Sequence, residues 1–300
     1  MLDQFTDTIH FIRHVSRKLY RGAKGPRILP GNKDRAVNDS AVMLLLGNKG
    51  GTCSGKIEPC LILNKRSDKV RQAGDLCCPG GGIEPRLDSF LAGLLALPYS
   101  PLTAWPYWHQ YRRNRPEKSK TLALFLGAGL RESFEEMRLN PLGVTLLGPL
   151  PRQQLIMFKR SIYPIVGWVN RQKRFYPNWE VEAVVRIPLR SLFVPGNYAR
   201  YRLRFDTGAG QTRPPQMDDY PCFCQPDGGR TEILWGATYR IVMAFMESAF
   251  GFKPPAMAGL PVVDGVLDKG YVSGRVAVYN TVDGIHSDSL GMINGRFTKK

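Results

Sequence analysis

Long apolar runs are missing from this 300-residue chain. None approaches the ~20 residues that a helix needs to cross a bilayer, which excludes a membrane-spanning reading of that kind. Cysteine is scarce and badly spaced for metal. The six are Cys53, Cys60, Cys77, Cys78, Cys222 and Cys224, with no Cys-x-x-Cys pair and no Cys/His array at zinc-finger spacing. Cys222-x-Cys224 has no second pair nearby to complete a tetrahedral site. No secretory leader opens the chain, so reduced thiols in a cytoplasmic protein are expected. Acidic residues are few as well: 25 Asp and Glu stand against 42 Lys and Arg, a formal net charge of +17. Such a field draws anionic partners, whether phosphate compounds, nucleic acid or an acidic membrane surface, and does not choose among them.

What is present is globular: 43% hydrophobic and 22% charged residues, over a length that suits one large domain with extensions or two small ones. Against the basic background one acidic cluster stands out. Leu122, Leu126, Leu130, Phe134 and Met137, at spacings of four and three, predict a helix over Leu122–Met137. Glu132, Glu135 and Glu136 then share its opposite edge. Three carboxylates so placed repel one another, and a divalent cation of the hard, oxygen-ligated kind, Mg²⁺ or Mn²⁺, offsets that cost. A solvated acidic face with Arg131 as intrahelical partner would also fit.

In chain order, residues 1–34 form a basic amphipathic segment. Phe5, Ile9, Phe11, Ile12, Val15 and Leu19 make its apolar stripe, Arg13, Arg17, Lys18, Arg21, Lys24 and Arg27 its charge, and Pro26 and Pro30 its end. Packing on the domain is its expected use, with membrane-surface binding the alternative. Ala41–Leu46 and Cys60–Leu63 read as two strands around the Gly-rich stretch 47–55. Gly50-x-x-x-x-Gly55-Lys56 comes close to a phosphate-binding P-loop. Ile57 replaces the metal-binding Ser or Thr, however, and a strand follows where a helix is required, so that reading is set aside. Arg66 and Arg71 precede Pro79-Gly80-Gly81-Gly82, whose glycines let backbone approach a ligand or a helix closely. Guanidinium groups on one side and metal ions on the other suit a substrate with two linked phosphates.

Leu61-Ile62-Leu63-Asn64-Lys65-Arg66-Ser67, Arg71, Gly74 and Pro79-Gly80-Gly81, followed by Arg131-Glu132-x-x-Glu135-Glu136, resemble a Nudix hydrolase of the coenzyme A pyrophosphatase branch. The resemblance runs over residues 40–250 and continues in Leu139–Pro151, Tyr163–Gly167, Asn178-x-Glu180-Val181, Ile187–Leu189 and Ile233–Thr238. It implies an α/β (α+β) fold, an α/β/α sandwich with a mixed sheet, over residues 35–250. It also implies metal ligation by Glu132, Glu135 and Glu136, with Arg131 orienting them, Glu180 supplying a further carboxylate, and Arg66, Arg71, Gly80 and Gly81 binding substrate. The chain departs from the family pattern in three ways. Between Asp88 and Arg131 lie 42 residues, where the family runs straight into its helix, so an insertion over about 89–121 is expected. In strict register the loop's acid falls on Leu87, leaving Asp88 or Glu84 to stand in. The helix-ending glycine is Arg138, with Asn140-Pro141 as a substitute stop.

The insertion carries an apolar run at Phe90–Leu97, an aromatic group at Trp105, Tyr107, Trp108 and Tyr111, and basic residues at Arg112, Arg113, Arg115, Lys118 and Lys120. Packing or a homodimer contact, a substrate lid, and a nucleic-acid or membrane contact are its readings, in that order. Val144–Leu150, Ile162–Val169 and Val181–Ile187 read as strands, with Glu180 and Glu182 on one side of the last. Residues 206–230 read as a loop, Glu232–Phe250 as a helix, and 251–300 as an extension of unassigned role with strands at Val262–Val266 and Tyr271–Tyr279. The function implied is metal-dependent cleavage of coenzyme A or acyl-coenzyme A to 3′,5′-ADP and (acyl-)4′-phosphopantetheine, the base being Glu132, Glu180 or Glu182. The alternatives are another dinucleotide, an ADP-sugar or capped RNA as substrate, or a non-catalytic module that binds nucleotides or nucleic acid.

Overall fold

The computed structural model describes residues 2, 5, 7–23, 28–30, 39–49, 58–155, 160–205, 217–227, 230–267, 271 and 279–281. The near P-loop at Gly50–Lys56 lies outside them. In chain order the elements are α1 (Thr8–Gly22), β1 (Ser40–Asn48), β2 (Pro59–Arg66), β3 (Leu76–Cys77), β4 (Gly80–Gly82), α2 (Pro85–Leu95), α3 (Trp108–Asn114) and α4 (Pro116–Met137). There follow β5 (Val144–Pro149), β6 (Gln153–Leu155), β7 (Arg160–Val169), β8 (Val181–Pro188), β9 (Tyr198–Phe205), β10 (Met217–Asp227), β11 (Arg230–Leu234), α5 (Gly236–Phe250), β12 (Val262–Leu267) and β13 (Tyr279–Thr281).

β1 is the axis of a mixed sheet ordered β3-β2-β1-β7-β5, with β4 also on β1, β6 on β7 and β8 on β2. It runs parallel to β7 and antiparallel to β2 and β4. Its unbroken apolar run is explained by burial on both faces, since side chains alternate across a strand. Ala41, Met43 and Leu45 face α4, while Val42, Leu44 and Leu46 share a core with Phe11, Val15 and Leu19 of α1 and Phe245 of α5. Helices thus cover both faces, as expected for an α/β/α sandwich. The basic N-terminal helix packs on the domain: its Phe11, Val15 and Leu19 are buried, and its Tyr20 stacks on Tyr107 at 4.2 Å. Among the described residues no helix is long and apolar enough to cross a membrane.

Four expectations need correction. α4 begins at Pro116, six residues early, because Pro116 occupies its first turn, where no N–H is needed. Phe134 is 44% exposed, not buried with Leu122, Leu126 and Leu130. Each step of four advances roughly 40° beyond a full turn, so three such steps carry position 134 about 120° off the apolar stripe. Of residues 206–230, expected as loop, 206–216 and 228–229 lie outside the described residues, and 217–227 form strand β10; Glu232 belongs to β11, the helix starting only at Gly236. The prolines and polar residues of β10 flank a buried centre, Cys222, Phe223 and Cys224, which holds the strand in the sheet. Lastly, the strand expected at Val262–Val266 is present as β12, but it is an inner strand, between β9 and β13 of the second sheet, ordered β11-β10-β9-β12-β13, where an edge strand was expected; nearly all of the strand expected at Tyr271–Tyr279 lies outside the described residues.

The insertion supplies most of α2, all of α3 and the start of α4; its aromatic group is packed, while Phe90, Leu94 and Leu97 are exposed. Trp105, Trp108 and Tyr111 are buried in the core beneath α4, and Trp105 Nε1 donates to Ser16 Oγ at 3.0 Å. For the aromatic group that is packing; the exposed Phe90, Leu94 and Leu97 have no such role. α2 crosses α4 at Gly127, where a Cβ would lie 3.3 Å from Leu91 Cβ. The long detour therefore brings α2 back against the helix from which the insertion separates it.

Candidate active site

The C-terminal half of α4 lies over β4, the Gly80–Gly82 strand, and the Pro79 turn that leads into it. Gly80 has φ +148° and sits so close to β1 that a Cβ would overlap Ala41 O and Val42. Gly81 meets the helix instead: a Cβ there would fall 2.5 Å from Glu132 Oε1. The two glycines are thus needed for separate close approaches, one to the strand and one to a carboxylate. They bring the turn and the acidic edge into direct contact.

Arg131 organises that edge. Its side chain is 6% exposed and its Nε donates to Asp88 Oδ1 at 2.9 Å, with Nη2 reaching Asp88 Oδ2 at 3.3 Å and Gly82 O at 3.2 Å. Asp88 is fully buried and also accepts the Glu84 N–H, so it joins the start of α2 to α4. Of the two carboxylates expected to stand in for an acid at Leu87, Asp88 is the one hydrogen-bonded to Arg131. Glu84 stands farther out, 3.6 Å from Arg131 Nη1. The same Nη1 lies 3.0 Å from Glu132 Oε1 and 3.4 Å from Glu135. Burial works against the guanidinium's charge, but Asp88, Glu132 and Glu135 together raise its pKa above the ordinary arginine value.

Glu136 differs from its neighbours in having no cationic partner among the described residues. Its Oε2 accepts Asn64 Nδ2 at 2.7 Å, and its Oε1 accepts the Gly80 N–H at 3.4 Å. Burial pushes this carboxyl up to about 7, and the nearby Glu132 and Glu180 add to the rise while the two hydrogen bonds oppose it. Burial raises Glu132 too, with Arg131 pulling the other way. Asn64 Oδ1, also buried, has no hydrogen-bond partner. Cys77 and Cys78, electrostatic neighbours of Glu136, are held as thiols, since burial pushes Cys77 up to about 12 and Cys78 higher still.

Glu180 is brought to the same place by the segment before β8. Asn178 N–H donates to Glu136 O at 2.8 Å, Tyr176 N–H to Met137 O at 3.0 Å, and Ser67 N–H to Glu180 O at 2.8 Å. Glu182, two residues on, is exposed. Arg66 and Arg71 lie on the loop that joins β2 to β3, where Arg66 Nε donates to Arg71 O at 2.7 Å and the Arg71 side chain is open to solvent. At the far end of α4, Arg138 itself takes the left-handed conformation that a glycine was expected to provide, with φ +55°. Asn140 instead caps the next turn through the Leu142 N–H at 3.1 Å.

Asn64 was within reach of sequence reasoning, inside a quoted motif, but nothing in its type or spacing singled it out. Glu132, Glu135 and Glu136 do share one edge. As they stand, however, no three carboxylate, thiol or imidazole groups among the described residues converge into a cation cage. Arg131 Nη1 lies between Glu132 and Glu135. The donor chemistry still fits a hard cation: Glu136 is a half-buried carboxylate without a cationic partner among the described residues, and the unpartnered Asn64 Oδ1 is another oxygen beside it.

No protein-family model matches the sequence, and no curated protein matches it. Among solved structures the chain is similar to a Nudix hydrolase from M. smegmatis, RenU, at 12% identity and TM-score 0.32, over 56% of this chain and 83% of that one. It is similar to a MutT protein from Methanosarcina mazei Go1 at 17% identity and TM-score 0.31, over 53% and 83%. A MutT/nudix family protein from Enterococcus faecalis aligns over 82% of this chain and 74% of its own, at 11% identity and TM-score 0.37.

Proposed function

We propose that the chain is a metal-dependent hydrolase of a nucleoside diphosphate linked to a second moiety, with coenzyme A or acyl-coenzyme A as substrate. One observation carries the proposal: the Glu136 carboxyl, half-buried and without a cationic partner among the described residues, held by Asn64 and the Gly80 N–H next to Glu132 and Glu180. A structural acidic face would be solvated or paired, whereas this group keeps an unmet charge requirement in a polar recess. Glu132, Glu135 and Glu136 would hold Mg²⁺ or Mn²⁺. When bound, the cation neutralises diphosphate oxygens and lowers the pKa of a coordinated water.

The chain's own residues would do the rest. Arg131, fixed by Asp88, sets the positions of Glu132 and Glu135. Glu180 is the better placed of the outlying carboxylates to take a proton from water, because it neighbours Glu136 while Glu182 faces solvent. Arg66 and Arg71 offer charge to the phosphates, including the 3′-phosphate that marks coenzyme A. Tyr176 and Trp179, both more than half exposed on the segment that delivers Glu180, present rings on which an adenine can stack. The products would be 3′,5′-ADP and 4′-phosphopantetheine or its acyl derivative.

The test is incubation with Mg²⁺ or Mn²⁺ and a panel of coenzyme A, acetyl-coenzyme A, ADP-ribose, NADH and diadenosine polyphosphates, with the products resolved. Cleavage of coenzyme A at its diphosphate is expected, and Glu136→Gln should lower kcat by about two orders of magnitude or more. Unchanged turnover in that variant would remove α4 from the chemistry. Preference for another member of the panel would keep the reaction class and replace the substrate.

A further inference from the structure

Tyr271 lies beyond β12, in the part of the chain to which the sequence assigns no role, yet it is buried against the loop between β2 and β3. Its hydroxyl donates to Asp75 Oδ2, and its carbonyl accepts the Gln72 N–H at 2.8 Å. Trp235, at the start of α5, donates its Nε1–H to Asp75 Oδ1 at 2.9 Å. Asp75 closes the loop that Arg66 opens: Arg66 N–H donates to Asp75 O at 3.0 Å, and Gly74 N–H to Arg66 O at 2.9 Å. Within the loop Gln72 has φ +58°, a left-handed conformation disfavoured for a residue with a Cβ. Such a backbone persists where its surroundings hold it, and here the holder is Tyr271.

We infer that Tyr271, beyond β12, clamps the Arg66–Asp75 loop, with Tyr271 and Asp75 as positioning residues for the phosphate-binding Arg66 and Arg71. Arg66 already bonds the Arg71 carbonyl, so a loop free to leave the Gln72 conformation would carry both guanidinium groups with it. The substrate role rests on the functional reading above; the clamp does not. Its contribution falls on binding of the anionic group rather than on the bond-breaking step, because neither residue adjoins Glu132 or Glu136 in any contact of the site.

The experiment uses the full chain and Tyr271→Phe, with Trp235→Phe as a second variant that removes the other side-chain bond to Asp75. Two quantities are read: the rate of tryptic cleavage after Lys69 and Arg71, and the kinetics with coenzyme A. One lost hydrogen bond is worth about a fivefold factor. Both variants should show cleavage at those two sites faster by about that factor, with cleavage elsewhere unchanged, the Tm lowered by no more than about 2–4 °C, and a KM raised similarly with kcat kept. Should Tyr271→Phe fail to fold, Trp235→Phe carries the same readings. Loop cleavage at the wild-type rate would overturn the clamp, and a fall in kcat and Tm with KM unmoved would reduce it to ordinary packing. A wild-type protein that turns over no diphosphate defeats the functional reading alone, and the tryptic rates still decide the clamp.

Discussion

Asp88 and Gly81 illustrate how single residues support the site without entering the chemistry. The Arg131–Asp88 pair is almost wholly buried, so removing one partner leaves an uncompensated charge in a poorly solvating place. Asp88→Ala should cost about 3–5 kcal/mol, read by urea unfolding, and should release Glu132 and Glu135 from their anchored arginine. Loss of less than ~1 kcal/mol would show that Glu132, Glu135 and Glu84 suffice to pair Arg131. Gly81→Ala separates position from stability. Its Cβ would collide with the end of a flexible side chain, Glu132, which can move aside at little cost to folding. Under the proposed function, turnover should fall by about tenfold or more, the effect of displacing a metal-binding carboxylate, while the Tm moves little. A variant with full activity would show that Glu132 tolerates displacement.

Helix α4 shows what the sequence carries and what it withholds. The carboxylate edge was legible because Glu132, Glu135 and Glu136 lie within five residues, where helical spacing alone decides which side chains are neighbours. The central strands were legible for a similar reason, since Ala41–Leu46 is apolar at every position and both of its faces are buried. Asp88 and Asn64 were not, because the detour through α2 and α3 and the pairing of β2 with β3 bring them in from 43 and 72 residues away. Strand β10 was missed because its alternation is interrupted by Pro221 and Pro226, which composition reads as loop. The helix end was misjudged differently: Arg138 tolerates the left-handed conformation, and its guanidinium lies 4.9 Å above the Phe134 ring. That backbone state costs a residue with a Cβ roughly 1–2 kcal/mol, which a glycine does not incur. Arg138→Gly should therefore raise stability by about 1 kcal/mol, after subtracting the lost ring contact, and the Tm by about 2 °C in a scanning unfolding experiment. A lower Tm would mean that the contact with Phe134 outweighs the backbone strain.

At the scale of the whole molecule, the two sheets meet at the hairpin that carries Arg66 and Arg71. Lys65 of β2 pairs with Glu232 of β11 at 2.8 Å, and Asp75 collects Trp235 and Tyr271. This junction makes the fold's stability depend on pH. Burial pushes the Asp75 carboxyl up to about 6 from an ordinary 3.8, against the opposing pull of its hydrogen bonds from Tyr271 and Trp235 and the charge of Arg66. The folded state then binds the Asp75 proton more tightly than the unfolded state does, so ionisation weakens the fold. The penalty is absent below about pH 4, grows as pH rises between the two values, and is complete above about pH 6, where it amounts to about 3 kcal/mol. Glu136, raised to about 7, acts in the same direction over a somewhat higher window, so the wild-type slope alone does not isolate Asp75. The difference from Asp75→Asn does. That variant cannot ionise and retains an oxygen for the Trp235 N–H, so it should lose less stability than the wild type between pH 4 and 6.5 in urea titrations. Above pH 7 the two curves should run parallel, their separation reporting the cost of the buried charge together with whatever the amide changes at Tyr271. Parallel curves throughout would mean that Asp75 titrates near its ordinary value, with water reaching the junction between the sheets.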